Sequence, residues 1–138
     1  MLAPARPRLA ETLLLDLSRD VTARGTHVVG TDYVRALIDV LVAAYAPEAP
    51  LAAALRKDWL RTRGDKAAHL AIGWAREQIR VALAEALERG RAARVVRADI
   101  DADVLAWLWL AACEAIAHEP PSAVGDRADT LAAFLTRA

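Results

Sequence analysis

At 138 residues the chain suits a single domain, long enough to bury about two-thirds of its unfolded surface. Hydrophobic residues make up 56%, 33 residues are alanine and none is asparagine, which excludes a disordered chain and favours helix nearly throughout. Lys and Arg balance Asp and Glu at 18 each, against the net positive charge of nucleic-acid domains, and the single cysteine excludes an internal disulfide.

Residues 1–8, with Pro4 and Pro7, read as a flexible tail, and residues 9–138 as one all-helical domain. No leader signature is present, because MLAPARPRLAETLLLDLSRD lacks an apolar core and a small-residue cleavage site; a cytoplasmic protein is expected. Leu9, Leu13, Leu14, Leu17 and Val21 recur at helical spacing, and Gly25 ends helix one. Thr31 is placed to cap helix two, whose stripe is Val34, Leu37, Ile38, Leu41 and Tyr45 and whose stop is Pro47. Pro50 suits the first turn of helix three, which runs to about Thr62. Asp65 caps a long helix four, Lys66 to Arg89, which Gly90 stops. Its stripe is Ala68, Ile72, Ala75, Ile79, Leu83 and Leu87, while Leu70 and Trp74 lie on an adjacent strip and suggest a second neighbour.

Residues 91–100 read as a loop, after which Asp101 caps helix five. That helix, ADVLAWLWLAACEAIAH from Ala102 to His118, is apolar at 14 of 17 positions and has no full polar face. A small core rarely surrounds a helix, so burial on two sides is expected, one against the chain's own core and one against a second copy. Its ten uninterrupted apolar residues, Val104 to Cys113, are too few to cross a bilayer, which needs about 20. Pro120 and Pro121 break it, and Ser122 or Asp126 opens helix six, which carries Leu131, Phe134 and Leu135. The expected architecture is all-α with about six helices.

Few residues carry chemistry. His27, His69 and His118 lie far apart and form no metal-ligand spacing, so no metal or other cofactor is expected. Glu114 and His118 are i,i+4 neighbours and read as a polar pair rather than an acid–base site. There is no phosphate loop, no nucleophile elbow and no nucleophile beside a base, so an enzyme is not expected. Cys113, inside the apolar run, reads as a buried structural thiol. Residues 56–97 carry 11 Lys and Arg against 5 Asp and Glu, with Arg89, Arg91, Arg94 and Arg97 in nine residues. An anion contact is one reading of that cluster; a solvated helix end complemented by Asp99, Asp101 and Asp103 is the favoured one. Of the four tryptophans, Trp59 reads as partly exposed, while Trp74 and Trp107 fit either core packing or the wall of a ligand cavity.

The segment AREQIRVALAEALERGRAARVVRADIDADVLAWLWLAACEAIAHEP resembles the C-terminal regulatory domain of TetR-type transcriptional regulators. The likeness rests on the Leu/Ala-rich, Gly-stopped ALAEALERG at 82–90, the basic link, the Arg97, Asp99 and Asp101 opening and the apolar helix that follows. The resemblance implies an all-helical domain that dimerises through its last two helices as a four-helix bundle and holds a small apolar ligand among its helices. On that reading a pocket is expected at His69, Trp74, Leu105 and Trp109, and a homodimer seam at Trp107, Leu110, Ala111, Glu114, Leu131 and Leu135. Helix five is apolar all round, so its pocket and seam faces are not distinguished. The family's N-terminal helix-turn-helix head has no counterpart upstream of residue 31, so direct sequence-specific DNA binding by this chain is not expected. Pairing with full-length relatives as an interaction protein is the alternative expectation.

Overall fold

The computed structural model describes residues 8–26, 30, 32–61 and 64–137, with the backbone alone for 59–61. It is all-α. Six helices follow one another: α1 (Leu9–Gly25), α2 (Asp32–Tyr45), α3 (Pro50–Arg61), α4 (Lys66–Ala92), α5 (Ala102–Ile116) and α6 (Pro121–Thr136), with no strand among the described residues. Residues 1–7 of the tail expected at 1–8, the cap at Thr31 and the side chain of Trp59 lie outside the described residues.

α4 is the axis of the domain. α1 packs along it more extensively than any other pair of helices. The two run parallel, since Arg8 pairs with Asp65 at one end and Gly25 meets Ala86 and Arg89 at the other. Alanine explains the intimacy: Ala75, Ala82 and Ala86 are buried on α4 opposite Leu14, Leu17 and Val21 of α1. Small side chains let the helix axes approach, so the space between them closes. α5 packs antiparallel to α4, with Arg76 bonded to Glu114 and Arg80 to Asp103. α6 folds back beside α5 and α2, held to α2 by an Arg35–Asp129 ion pair.

The helix ends follow local chemistry. Asp65 accepts the Ala68 N–H and caps α4 as its sequence position suggests. The start of α1 is capped from α3, where buried Asp58 accepts the Ala10 N–H at 3.0 Å. Asp101 opens α5 without a side-chain cap bond. α6 opens one residue before Ser122, at Pro121, whose ring fits the first helical turn where no N–H is needed. Gly90 does not stop α4, which continues to Ala92. Its role is room: a β-carbon there would collide with the Tyr33 hydroxyl and Val96. Arg94 takes the left-handed turn instead, at φ 60°.

Among the described residues no single helix is long and apolar enough to cross a membrane. α2 and α3 reach the length only together, bent by 49°, and the apolar stripe of α2 is packed in the core.

Candidate functional site

The feature the core does not consume is an apolar surface on α4 and α5. On α4, Leu70, Trp74 and Val81 are exposed, Trp74 at 56%. On α5, Val104 and Trp107 are exposed, Trp107 at 55%. A helix turns by about 100° per residue. Leu70, Trp74, Glu77 and Val81 therefore fall on one strip of α4, opposite buried Ala68, Ala75, Ile79 and Ala86. Val104, Trp107 and Ala111 fall on one strip of α5, opposite buried Leu105, Trp109 and Ile116. With the helices side by side, both strips look outward from the same layer. Ion pairs frame them: Arg76 to Glu114, and Arg80 to both Glu77 and Asp103. Exposed apolar side chains grouped in this way mark contact surfaces more often than isolated ones do.

The pocket expected between α4 and α5 does not assemble from its four residues. Trp74 points outward, His69 is half-buried, and Leu105 and Trp109 are sealed in the core at 0% exposure. Trp74 and Trp109 thus face opposite ways and do not share a wall. The described clefts are lined by other residues. One of about 470 Å³ is lined by Val42, Ala46, Pro47, Ala117, Pro121 and Val124 among others, where the ends of α2 and α5 meet the start of α6. Others sit between α1 and the α2–α3 turn, and between α4 and the start of α5. None of these three is lined by His69, Trp74, Leu105 or Trp109.

The expected seam residues divide. Trp107 stands on the exposed face, with Ala111 and Glu114 half-buried beside it. Leu110, Leu131 and Leu135 are buried in the chain's own core, so they offer nothing to a second copy. The physical reason is the inward stripe of α6: Ala128, Leu131 and Leu135 pack on α2 and α5, which leaves Asp126, Arg127, Thr130 and Arg137 outside. Phe134, the exception on α6, lies under the Arg97 guanidinium, 4.6 Å from its ring centroid.

Below the exposed face lies a buried polar cluster that sequence patterning did not reveal. The Tyr45 hydroxyl and the Trp109 indole N–H are fully buried without an oxygen or nitrogen partner. Burial first, and then the Glu114 carboxylate, hold the Tyr45 phenol far above its ordinary range, with Arg76 opposing. Burial also pushes the Cys113 thiol up to about 12, against a weak hydrogen bond from Trp109 one turn earlier. Cys113 is thus a structural, unreactive thiol. Glu114 spends its side chain on Arg76, and His118 Nδ1 meets the Glu114 backbone carbonyl, so the two form no acid–base pair.

Three of the four arginines of the basic cluster are likewise spent within the fold. Arg89 donates to the Gly25 carbonyl, and Arg91 to the carbonyls of Arg97 and Ile100. Arg97 pairs with Asp99 at 2.6 Å and donates to the Phe134 carbonyl. Arg89 thus ties α4 to the end of α1, Arg91 braces the α4–α5 link, and Arg97 fastens that link to the end of α6. No protein-family model, curated protein or solved structure matches the chain.

Proposed function

We propose that the chain is a self-associating regulatory-type domain, cytoplasmic and without direct DNA contact, that works by helix-to-helix packing against a second copy. The resemblance to TetR-type regulatory domains supports that reading from the sequence side. The observation that carries it is the grouping of Leu70, Trp74, Val81, Val104 and Trp107 on one outward layer of α4 and α5. Burying a large aliphatic or aromatic side chain contributes about 1.5–3 kcal/mol, so a partner covering this face gains substantially. A net charge of zero leaves two copies free of long-range repulsion. Light scattering over a dilution series tests the proposal: about twice the 14.9 kDa chain mass at micromolar concentration is expected. A monomer at every concentration overturns it. Association only with a longer relative moves the reading to a heterodimerising interaction protein.

Small-molecule sensing is the second reading. What favours it is the buried Tyr45 hydroxyl, which has no hydrogen-bond partner among the described residues. A small apolar molecule bearing a hydrogen-bond acceptor would satisfy such a donor, and would act as an effector if it bound the associated and free states unequally. A thermal-shift screen of apolar ketones, esters and carboxylic acids tests it. A rise in melting that Tyr45→Phe abolishes supports sensing, and no rise with any compound removes it.

A further inference from the structure

We infer that the seam is an antiparallel crossing of α4 with the α4 of a second copy, centred on Gly73 and Trp74. The inference rests on the self-association reading and locates the surface that performs it. Gly73 is the first observation. It lies two turns into a 27-residue helix, where glycine is among the least favourable residues. A β-carbon built on Gly73 meets nothing within 4 Å, whereas one on Gly90 would collide with Tyr33 and Val96. The chain's own packing therefore needs a glycine at 90 and has no use for one at 73. Close approach of something outside the chain is the remaining physical reason for so poor a helix former there.

The second observation is what surrounds the notch. Trp74 is the next residue, and Leu70 stands one turn back, 69% exposed. A hole and a large knob at consecutive positions are self-complementary. A two-fold axis passing between residues 73 and 74 sets each copy's Trp74 against the other's Gly73, and one contact satisfies both. Glu77 on this face is held by Arg80 of its own helix, so the crossing rests on the fit of knob and hole rather than on charge. Val104, Trp107 and Ala111 on α5 extend the same layer and pack outside this centre.

The placement departs from the bundle of the last two helices that the family resemblance implies. α6 has an open glycine too, Gly125, but its exposed neighbours are Ser122, Asp126 and Asp129, and the adjacent Val124 is half-buried. A second copy, rather than an unlike partner, follows from the pairing of knob and hole on one face of one helix.

Gly73→Leu tests the inference, because the single chain has room for the new side chain and gains a better helix former. Far-ultraviolet helicity and melting of the dilute protein should be retained, while light scattering reports a dimer dissociation constant raised roughly tenfold or more. Gly125→Leu and Thr130→Arg, both on the exposed surface of α6, should stay dimeric. If the unaltered chain dimerises and Gly73→Leu dimerises equally well, the crossing at Gly73 is wrong while self-association stands. Dissociation by Thr130→Arg alone moves the seam to α6 and overturns the inference in favour of the family's arrangement. A monomeric unaltered chain removes both claims together.

Discussion

Gly90 of α4 lies against the hydroxyl of Tyr33 of α2 so closely that no β-carbon fits between them. Tyr33 is buried and donates to the Ala86 carbonyl at 3.1 Å, one turn before Gly90, so it cannot move aside without losing that bond. Gly90→Ala should therefore cost about 1–3 kcal/mol through overpacking. Gly125→Ala, which meets nothing, should gain up to about 1 kcal/mol. Chemical denaturation of the two variants checks the contrast. Equal stabilities would mean that α2 and α4 are not in contact at this point.

The two tyrosines invite opposite expectations for one substitution. Tyr33 has a carbonyl partner, so Tyr33→Phe should cost about 0.5–1.5 kcal/mol and leave the Ala86 carbonyl short of a donor. The Tyr45 hydroxyl is buried without a partner, so Tyr45→Phe removes a desolvated polar group at no loss of a bond. Its stability should be unchanged or higher. A clear destabilisation by Tyr45→Phe would show that the hydroxyl has a partner after all.

Alkaline pH should unfold the domain. Burial raises the Tyr33 phenol to about 12 and the Cys113 thiol to about 12, and the Tyr45 phenol in the same direction. Each group is neutral when protonated, so raising its folded value means that the unfolded chain gives up its proton first. The stability they share is complete below the ordinary thiol and phenol values of 9.0 and 10.0 and falls as pH rises towards about 12. Phenolate absorbance should appear only together with loss of helical signal. Phenolate formation in a still-helical protein would contradict the burial of both tyrosines.

DNA should not compete for this chain. Three of the four arginines at 89–97 hold carbonyls or Asp99 within the fold, and the net charge is zero. Titration against random duplexes should show weak binding at low salt that physiological salt abolishes. Nanomolar affinity for one sequence at physiological salt would contradict this.

Element boundaries were legible in the sequence because the punctuation is local. Asp65 caps α4 by its own side chain, and Pro50 sits in the first turn of α3, whereas Pro121, legible only as the break after α5, opens α6. The apolar stripe of α4 was equally plain, with Leu70 and Trp74 standing off it. The same period could not say which side of α5 is sealed. Leu110 and Trp107 are equally apolar, and only the position of α4 and α6 around the helix decides that one is core and the other surface. The pocket expectation failed for a related reason. Trp74 and Trp109 are both apolar and sit on neighbouring helices, but the packing turns one outward and seals the other in the core. Gly73 carried no pattern and Tyr45 showed only as part of the α2 stripe, since an open notch and an unpaired hydroxyl exist only once neighbours are in place.

The measurement that bears most directly on the account is oxidation of a Gly73→Cys variant. Cys113 is buried with its thiol held protonated, so the introduced cysteine supplies the reactive thiol. A two-fold crossing at residues 73 and 74 brings the two α-carbons to within about 7 Å, the reach of a disulfide. Mild oxidation at micromolar concentration should convert most of the protein to a covalent dimer that keeps its helicity, and reduction should reverse it. A variant that stays uncrosslinked while light scattering shows it dimeric would contradict the crossing at Gly73.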